Sequence, residues 1–157
     1  IWFTSSAYNI ETISSWSLVF TQINQILSAL LGGSFLFLFT LAMADQDCDA
    51  PILLTTLICA GASTAALLVS ELIQSSYLYK LTSSTTPLVE VFPQYPLFIA
   101  VSTLLLIAAV ILTLLWKRQG RLLSRKCATI ALVLALGGVF IARFSFYCAY
   151  LNVGLVV

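Results

Sequence analysis

The stretch ATIALVLALGGVFIARFSFYCAYL, residues 128–151, decides the fold. It is mostly apolar and carries one charge, Arg143, and at about 1.5 Å of helical rise per residue it is long enough to cross about 30 Å of hydrocarbon. An arginine keeps its proton in a protein and is costly in lipid, so Arg143 needs a carboxylate, a headgroup, water or a ligand beside it. The stretch therefore predicts a membrane-spanning helix with a polar site.

The composition extends this interpretation to the whole chain. Of its 157 residues, 61% are hydrophobic and only 8% are charged, whereas charged residues make up roughly a quarter of a soluble domain. The apolar runs are too long and too uniform for the alternating strands of an outer-membrane barrel. The predicted fold class is an all-α integral membrane protein, with residues 1–157 forming a single membrane domain.

Three further apolar runs precede the quoted stretch, so the prediction is a bundle of four transmembrane helices. The predicted spans are residues 20–43, 52–77, 97–116 and 128–151. Residues 1–19 are rich in Ser, Thr, Asn and aromatic side chains, which is typical of a segment at the membrane interface. The chain opens on isoleucine with no basic, cleavable leader, so we interpret it as a piece of a longer protein.

The distribution of basic residues predicts the orientation of the bundle. Five of the seven lysines and arginines lie together between the third and fourth spans, at Lys117, Arg118, Arg121, Arg125 and Lys126. Loops rich in lysine and arginine stay on the cytoplasmic side of a membrane. Alternation of the spans then places residues 1–19 and the C-terminus on the outer side.

Cofactor chemistry is restricted by the absence of histidine. Without histidine, this chain cannot supply bis-histidine haem ligands, a histidine general base or a typical zinc site. Its four cysteines include no Cys-x-x-Cys pair, which argues against a thiol oxidant or an iron–sulfur site. We therefore expect no metal and no cofactor bound by this chain.

Polar side chains gather in the outer half of the predicted spans. Glu71 and Arg143 lie at similar depths, so an ion pair between them is geometrically feasible. Gln74 lies one turn beyond Glu71 on the same helix face, and Tyr147 lies one turn beyond Arg143. Further polar residues at this depth are Gln22, Asn24, Gln25 and Tyr150. The main candidate residues are Glu71, Arg143, Gln74, Gln25 and Tyr147.

Three interpretations of this cluster remain open. It can be a buried polar lock that fixes which helix faces which, with the tyrosines in an interfacial belt. It can be one wall of a site for an amphipathic ligand such as a quinol, whose hydroxyls need carboxylate, guanidinium or phenol partners. It can also be the proton or substrate path of a small proton-coupled transporter, with Glu71 as the coupling carboxylate.

The order of these features resembles the C-terminal half of the membrane-anchor subunit of bacterial dimethyl sulfoxide reductase, a family of eight-span proteins. The resemblance covers nearly the whole chain. The matching features are Tyr8–Trp16 with Thr21, Gly32-Gly33, Ser70-Glu71-Leu72, Ala142-Arg143-Phe144-Ser145-Phe146-Tyr147 and Val153-Gly154. The resemblance implies that the four spans correspond to the fifth to eighth of the family, in the bacterial inner membrane, with a periplasmic C-terminus.

The resemblance also implies a function. In the family, the anchor holds a molybdopterin catalytic subunit and an iron–sulfur subunit at the outer face, oxidises menaquinol and passes its electrons on, without haem. The implied partners are these two subunits, quinol and the bilayer, with no nucleic acid, and the candidate contact residues are Tyr8, Trp16 and Tyr95. The histidine and glutamate that the family is thought to use for quinol lie in the N-terminal half, so no residue here inherits their role.

Overall fold

The computed structural model describes residues 19–44, 50–80, 92–118 and 124–148. In these residues the regular structure consists of four helices, which are α1 (Val19–Ala44), α2 (Ala50–Lys80), α3 (Tyr95–Arg118) and α4 (Arg125–Cys148). Each of the four is long and apolar enough to cross a membrane. The predicted all-α class with four spanning helices is confirmed.

Local signals at the first turn explain why α3 and α4 begin earlier than hydropathy predicts. The fourth helix starts at Arg125 rather than residue 128, because the Ser124 hydroxyl accepts a hydrogen bond from the Cys127 amide at 3.4 Å, as an N-cap does. The third starts at Tyr95 rather than residue 97, and Pro96 suits a first helical turn because its missing N–H would have no intrahelical partner. Residues 149–151, predicted as the end of the fourth span, lie outside the described residues.

The helices pack in a closed ring in chain order. The most extensive interface joins α3 to α4, followed by those of α1 with α2 and of α1 with α4, while α2 and α3 share a smaller one. Small residues let α4 approach its neighbours closely, since Ala131, Ala135 and Gly138 are all buried. Leu31 of α1 and Leu106 of α3 are fully buried in the central apolar cluster, to which Ala131 and Ala135 of α4 also belong.

The outward faces of the helices are apolar. Large side chains on three different helices are mostly exposed, including Leu72 at 64%, Leu104 at 66% and Phe140 at 69%. A soluble protein would not expose apolar surface all around its bundle, whereas lipid accommodates it. The distribution of exposed residues therefore agrees with four helices surrounded by a bilayer.

Candidate polar site at one end of the bundle

A small cavity lies between the four helices at the end of the bundle where α1 and α3 begin and α2 and α4 end. We call it the polar cavity. Its lining consists of Thr21, Asn24, Ser28, Leu67, Glu71, Gln74, Tyr95, Ile99, Ala142, Arg143 and Phe146. Its volume is about 20 Å³, which is enough for roughly one water molecule.

Helical periodicity brings the polar groups of each helix to the cavity. Thr21, Asn24 and Ser28 are spaced by three and four residues and so share one face of α1. Glu71 and Gln74 share a face of α2 in the same way. The antiparallel course of successive helices then places the start of α1 beside the end of α2, so these two polar faces meet.

A buried amide pair joins the two faces. The side-chain amide of Asn24 donates a hydrogen bond to Gln74 Oε1 at 2.7 Å. Asn24 is 7% exposed and Gln74 is 5% exposed, so neither side chain has bulk solvent as an alternative partner. Because a buried polar group without a partner is costly, this hydrogen bond favours one rotational setting of α1 relative to α2.

Arg143 reaches from α4 toward α1. Its Nη2 donates a hydrogen bond to Ser28 Oγ at 3.3 Å, and the Ser28 hydroxyl donates to the backbone carbonyl of Asn24 at 2.6 Å. The serine hydroxyl therefore accepts from the guanidinium and donates within its own helix. This short chain of hydrogen bonds connects the charge on α4 to the polar face of α1.

Glu71 is the acidic group of the cavity. Its side chain is 6% exposed and lies within electrostatic range of the Arg143 guanidinium, which lines the same cavity. Among the described residues, no group donates a hydrogen bond to Glu71 Oε2, and the same holds for Asn24 Oδ1. The cavity therefore combines opposite charges on α2 and α4 with two oxygen atoms that can accept further hydrogen bonds.

Aromatic rings surround this end of the bundle. Phe20 of α1 packs against Tyr77 of α2 with ring centroids 5.6 Å apart, and Phe98 of α3 packs against Phe144 of α4 at 5.7 Å. Phe92 also contacts Phe98, at 5.3 Å. Aromatic side chains are enriched where membrane meets water, so these rings are consistent with an interfacial position for the cavity end.

Three of the five main candidate residues, Glu71, Gln74 and Arg143, line the polar cavity. The structure places the other two outside the lining. Gln25 is half-buried, and its Oε1 accepts no hydrogen bond from the described residues. Tyr147 is 43% exposed, with its ring beside Phe146. All five residues have similar depth along their helices, but membership of the cavity also depends on the direction in which each side chain points.

The candidate contact residues for the partner subunits are Tyr8, Trp16 and Tyr95, and the structure describes only the last of them. Tyr8 and Trp16 lie outside the described residues, so their role stays a prediction. Tyr95 is 4% exposed and contributes to the lining of the polar cavity. No group of three or more potential metal ligands occurs within the described ranges.

Thr21 and Ser28 line the cavity but are not among the site residues predicted from the sequence. Their spacing relative to Asn24 could have indicated them, because the three residues share one face of α1 near its start. Small hydroxyl residues are common in membrane helices and often bond to their own backbone, so they are a weak signal. Here Ser28 does bond to its own helix and also accepts from Arg143.

Comparisons with known proteins agree with the resemblance seen in the sequence. The chain is 27% identical over 161 residues to a subunit of the anaerobic dimethyl sulfoxide reductase of Escherichia coli (strain K12), an alignment that covers 100% of this chain and 54% of that protein. The chain thus spans about half the length of this relative. No solved structure matches it. The family model for the DMSO reductase anchor subunit (DmsC) matches residues 1–149, and the chain belongs to that family.

Proposed function

We propose that this chain is the C-terminal, four-helix part of the membrane anchor of a dimethyl sulfoxide reductase-type complex in the bacterial inner membrane. In this role it holds an iron–sulfur subunit and a molybdopterin catalytic subunit at the outer face and helps to oxidise menaquinol. The observation that carries the proposal is the family match over residues 1–149, in a chain with four membrane-spanning helices.

The charge distribution supports an outward position for the polar cavity. Arg125 and Lys126 begin α4, whereas Arg143 lies near its other end, so the basic residues and the cavity are at opposite ends of the helix. By the positive-inside rule the basic end is cytoplasmic. The cavity and the C-terminus then lie toward the periplasm, on the side where the extrinsic subunits are proposed to bind.

The chemistry of the cavity suits a part in quinol binding. A quinol presents two hydroxyl groups on an apolar ring, and the cavity offers a carboxyl at Glu71, a guanidinium at Arg143 and a phenol at Tyr95. A volume of about 20 Å³ is far below the several hundred Å³ of a usual ligand pocket, so this cavity alone does not enclose a quinone ring. We propose that it forms one wall of the site and that the other half of the anchor supplies the rest.

Co-purification tests the anchor role. The full-length anchor, tagged and extracted in a gentle detergent from cells grown under anaerobic respiration, should bring down subunits that contain iron, acid-labile sulfur and molybdenum. A tagged membrane protein of unrelated family is the control for adventitious binding. Recovery of the anchor in good yield without either metal would refute the role.

Quinol oxidation tests the role of the cavity. In the intact complex, Glu71→Gln or Arg143→Gln should slow reduction of the acceptor by a menaquinol analogue about 10- to 100-fold, the range expected for losing one charged hydrogen bond. Reduction driven by a soluble dye that feeds the extrinsic subunits directly should not change. Ser76→Ala is the matched control, because Ser76 is an exposed residue of α2 whose hydroxyl bonds to the carbonyl of Ile73. Unchanged quinol rates in both cavity variants would contradict a role in quinol oxidation.

A proton-coupled transporter is the second candidate, favoured by one observation, a buried carboxyl at Glu71 within a spanning helix. In that case the protein reconstituted in liposomes should catalyse flux driven by a pH gradient, and Glu71→Gln should abolish it. Absence of any flux from the wild-type protein would eliminate this candidate. The family assignment favours the anchor.

A further inference from the structure

Two buried oxygen atoms in the polar cavity accept no hydrogen bond from the described residues. They are Glu71 Oε2 on α2 and Asn24 Oδ1 on α1, and both side chains line the cavity. With exposures of 6% and 7%, both are more than nine-tenths buried. Buried acceptors are nearly always satisfied, so the pair indicates a ligand that donates hydrogen bonds.

The charges of the lining restrict what that ligand can be. A metal cation would be repelled by the Arg143 guanidinium, and an anion would be repelled by a carboxylate at Glu71. A neutral donor of two hydrogen bonds suits both acceptors. The volume of about 20 Å³ suits a molecule of the size of water.

We propose that the polar cavity binds one internal water molecule, which donates one hydrogen to Glu71 Oε2 and the other to Asn24 Oδ1. The water bridges α1 and α2 beside the direct hydrogen bond from Asn24 to Gln74. Its own oxygen can accept from a donor in the lining, and buried waters typically make about three hydrogen bonds. This inference goes beyond the proposed function and does not depend on it.

The bridging water lies beside the Arg143 guanidinium, which lines the same cavity as Glu71. Arg143 Nη2 is directed to Ser28 Oγ, at 3.3 Å. The water accounts for Glu71 Oε2, while Arg143 Nη2 keeps its hydrogen bond to Ser28 Oγ. A direct contact between the guanidinium and Glu71 Oε2 would remove one of the two acceptors and leave the water without its bridging position.

High-resolution electron cryomicroscopy tests the proposal. The full-length anchor in lipid nanodiscs, with whatever subunits co-purify and without added quinol, should show one isolated peak between the two helices. Its centre should lie within about 2.6–3.2 Å of both Glu71 Oε2 and Asn24 Oδ1. A map without such a peak, a direct contact between Arg143 and Glu71 Oε2, or density for a larger molecule with a hydroxyl at this point would each overturn the proposal.

Two variants add an independent comparison. Asn24→Leu removes one acceptor and should abolish the peak, whereas Gln25→Leu replaces a neighbouring amide that is not part of the lining and should leave it unchanged. Each map also reports whether the variant is folded. If Asn24→Leu does not fold, the wild-type map alone shows whether the water is present. A peak that survives in folded Asn24→Leu, or disappears in folded Gln25→Leu, would overturn the assignment. Failure to recover molybdenum or iron–sulfur subunits would affect only the proposed function.

Discussion

Replacing Gly138 by alanine should destabilise the bundle, because α3 leaves no room for a side chain at this position of α4. A Cβ added at Gly138 would lie 2.8 Å from both Cγ and Cδ2 of Leu106, and 3.2 Å from the backbone oxygen of Ser102. Neither neighbour can easily move, since Leu106 is fully buried in the core and the Ser102 oxygen belongs to the helix backbone. The helices must therefore separate to accept the methyl group.

The cost follows from packing and from one hydrogen bond. Overfilling a packed core typically costs about 1–3 kcal/mol. The separation would also strain the hydrogen bond that the Ser102 hydroxyl donates to the Gly138 carbonyl at 3.0 Å, worth about 0.6 kcal/mol between membrane helices. Alanine regains up to about 1 kcal/mol through its better helix propensity. We expect a net loss of about 0.6–2.6 kcal/mol in the free energy of unfolding.

The adjacent glycine is the matched control. A Cβ at Gly137 would lie 3.9 Å from Leu105 Cδ1, which is ordinary van der Waals contact, so Gly137→Ala should be neutral or slightly stabilising. Both variants can be compared by reversible unfolding in mixed micelles at increasing denaturing-detergent fraction, followed by circular dichroism. If Gly138→Ala unfolds at the same detergent fraction as Gly137→Ala, or at a higher one, the close contact between α3 and α4 at Gly138 is contradicted.

The remaining predictions concern polar contacts and use the same unfolding assay. Glu71→Leu and Arg143→Leu should each lower the free energy of unfolding by about 3 kcal/mol, the lower end for a broken buried pair, because Arg143 is only half-buried. The double variant should be nearly neutral. Strictly additive losses would show that the two charges do not interact. Asn24→Leu and Gln74→Leu should give a coupling energy of about 0.6–1.7 kcal/mol, and zero coupling would contradict their 2.7 Å hydrogen bond. Ser102→Ala should cost about 0.6 kcal/mol, and a gain in stability would count against its bond to α4.

The position of Arg143 in the chain was enough to predict that it needs a polar partner, and depth pointed to Glu71. The structure places both in one cavity, but the hydrogen bond it describes from Arg143 Nη2 goes to Ser28 on α1. Charge and depth are one-dimensional properties that can be read along a chain. The choice between neighbouring helices depends on the rotation of each helix about its axis, which a single sequence does not specify.

Tyr95 illustrates the same limit at a helix boundary. Hydropathy placed the start of the third span at residue 97, and the family resemblance gave Tyr95 as a candidate contact for a partner subunit. The structure instead starts α3 at Tyr95 and buries its side chain at 4% exposure in the cavity lining. A proline in the first helical turn is compatible with either outcome, because it begins a helix as readily as it interrupts one.

The amino-acid sequence was sufficient to predict four helices, their membrane-spanning character and the end of the bundle at which polar groups collect. These properties follow from the lipid solvent, which requires long apolar helices and makes each intramembrane charge conspicuous. The pairing of Asn24 with Gln74, the bond from Arg143 to Ser28 and the two unsatisfied acceptors on residues of one cavity lining became visible only in the folded bundle. Those choices depend on how the helices pack, and packing is set by contacts between residues far apart in the chain.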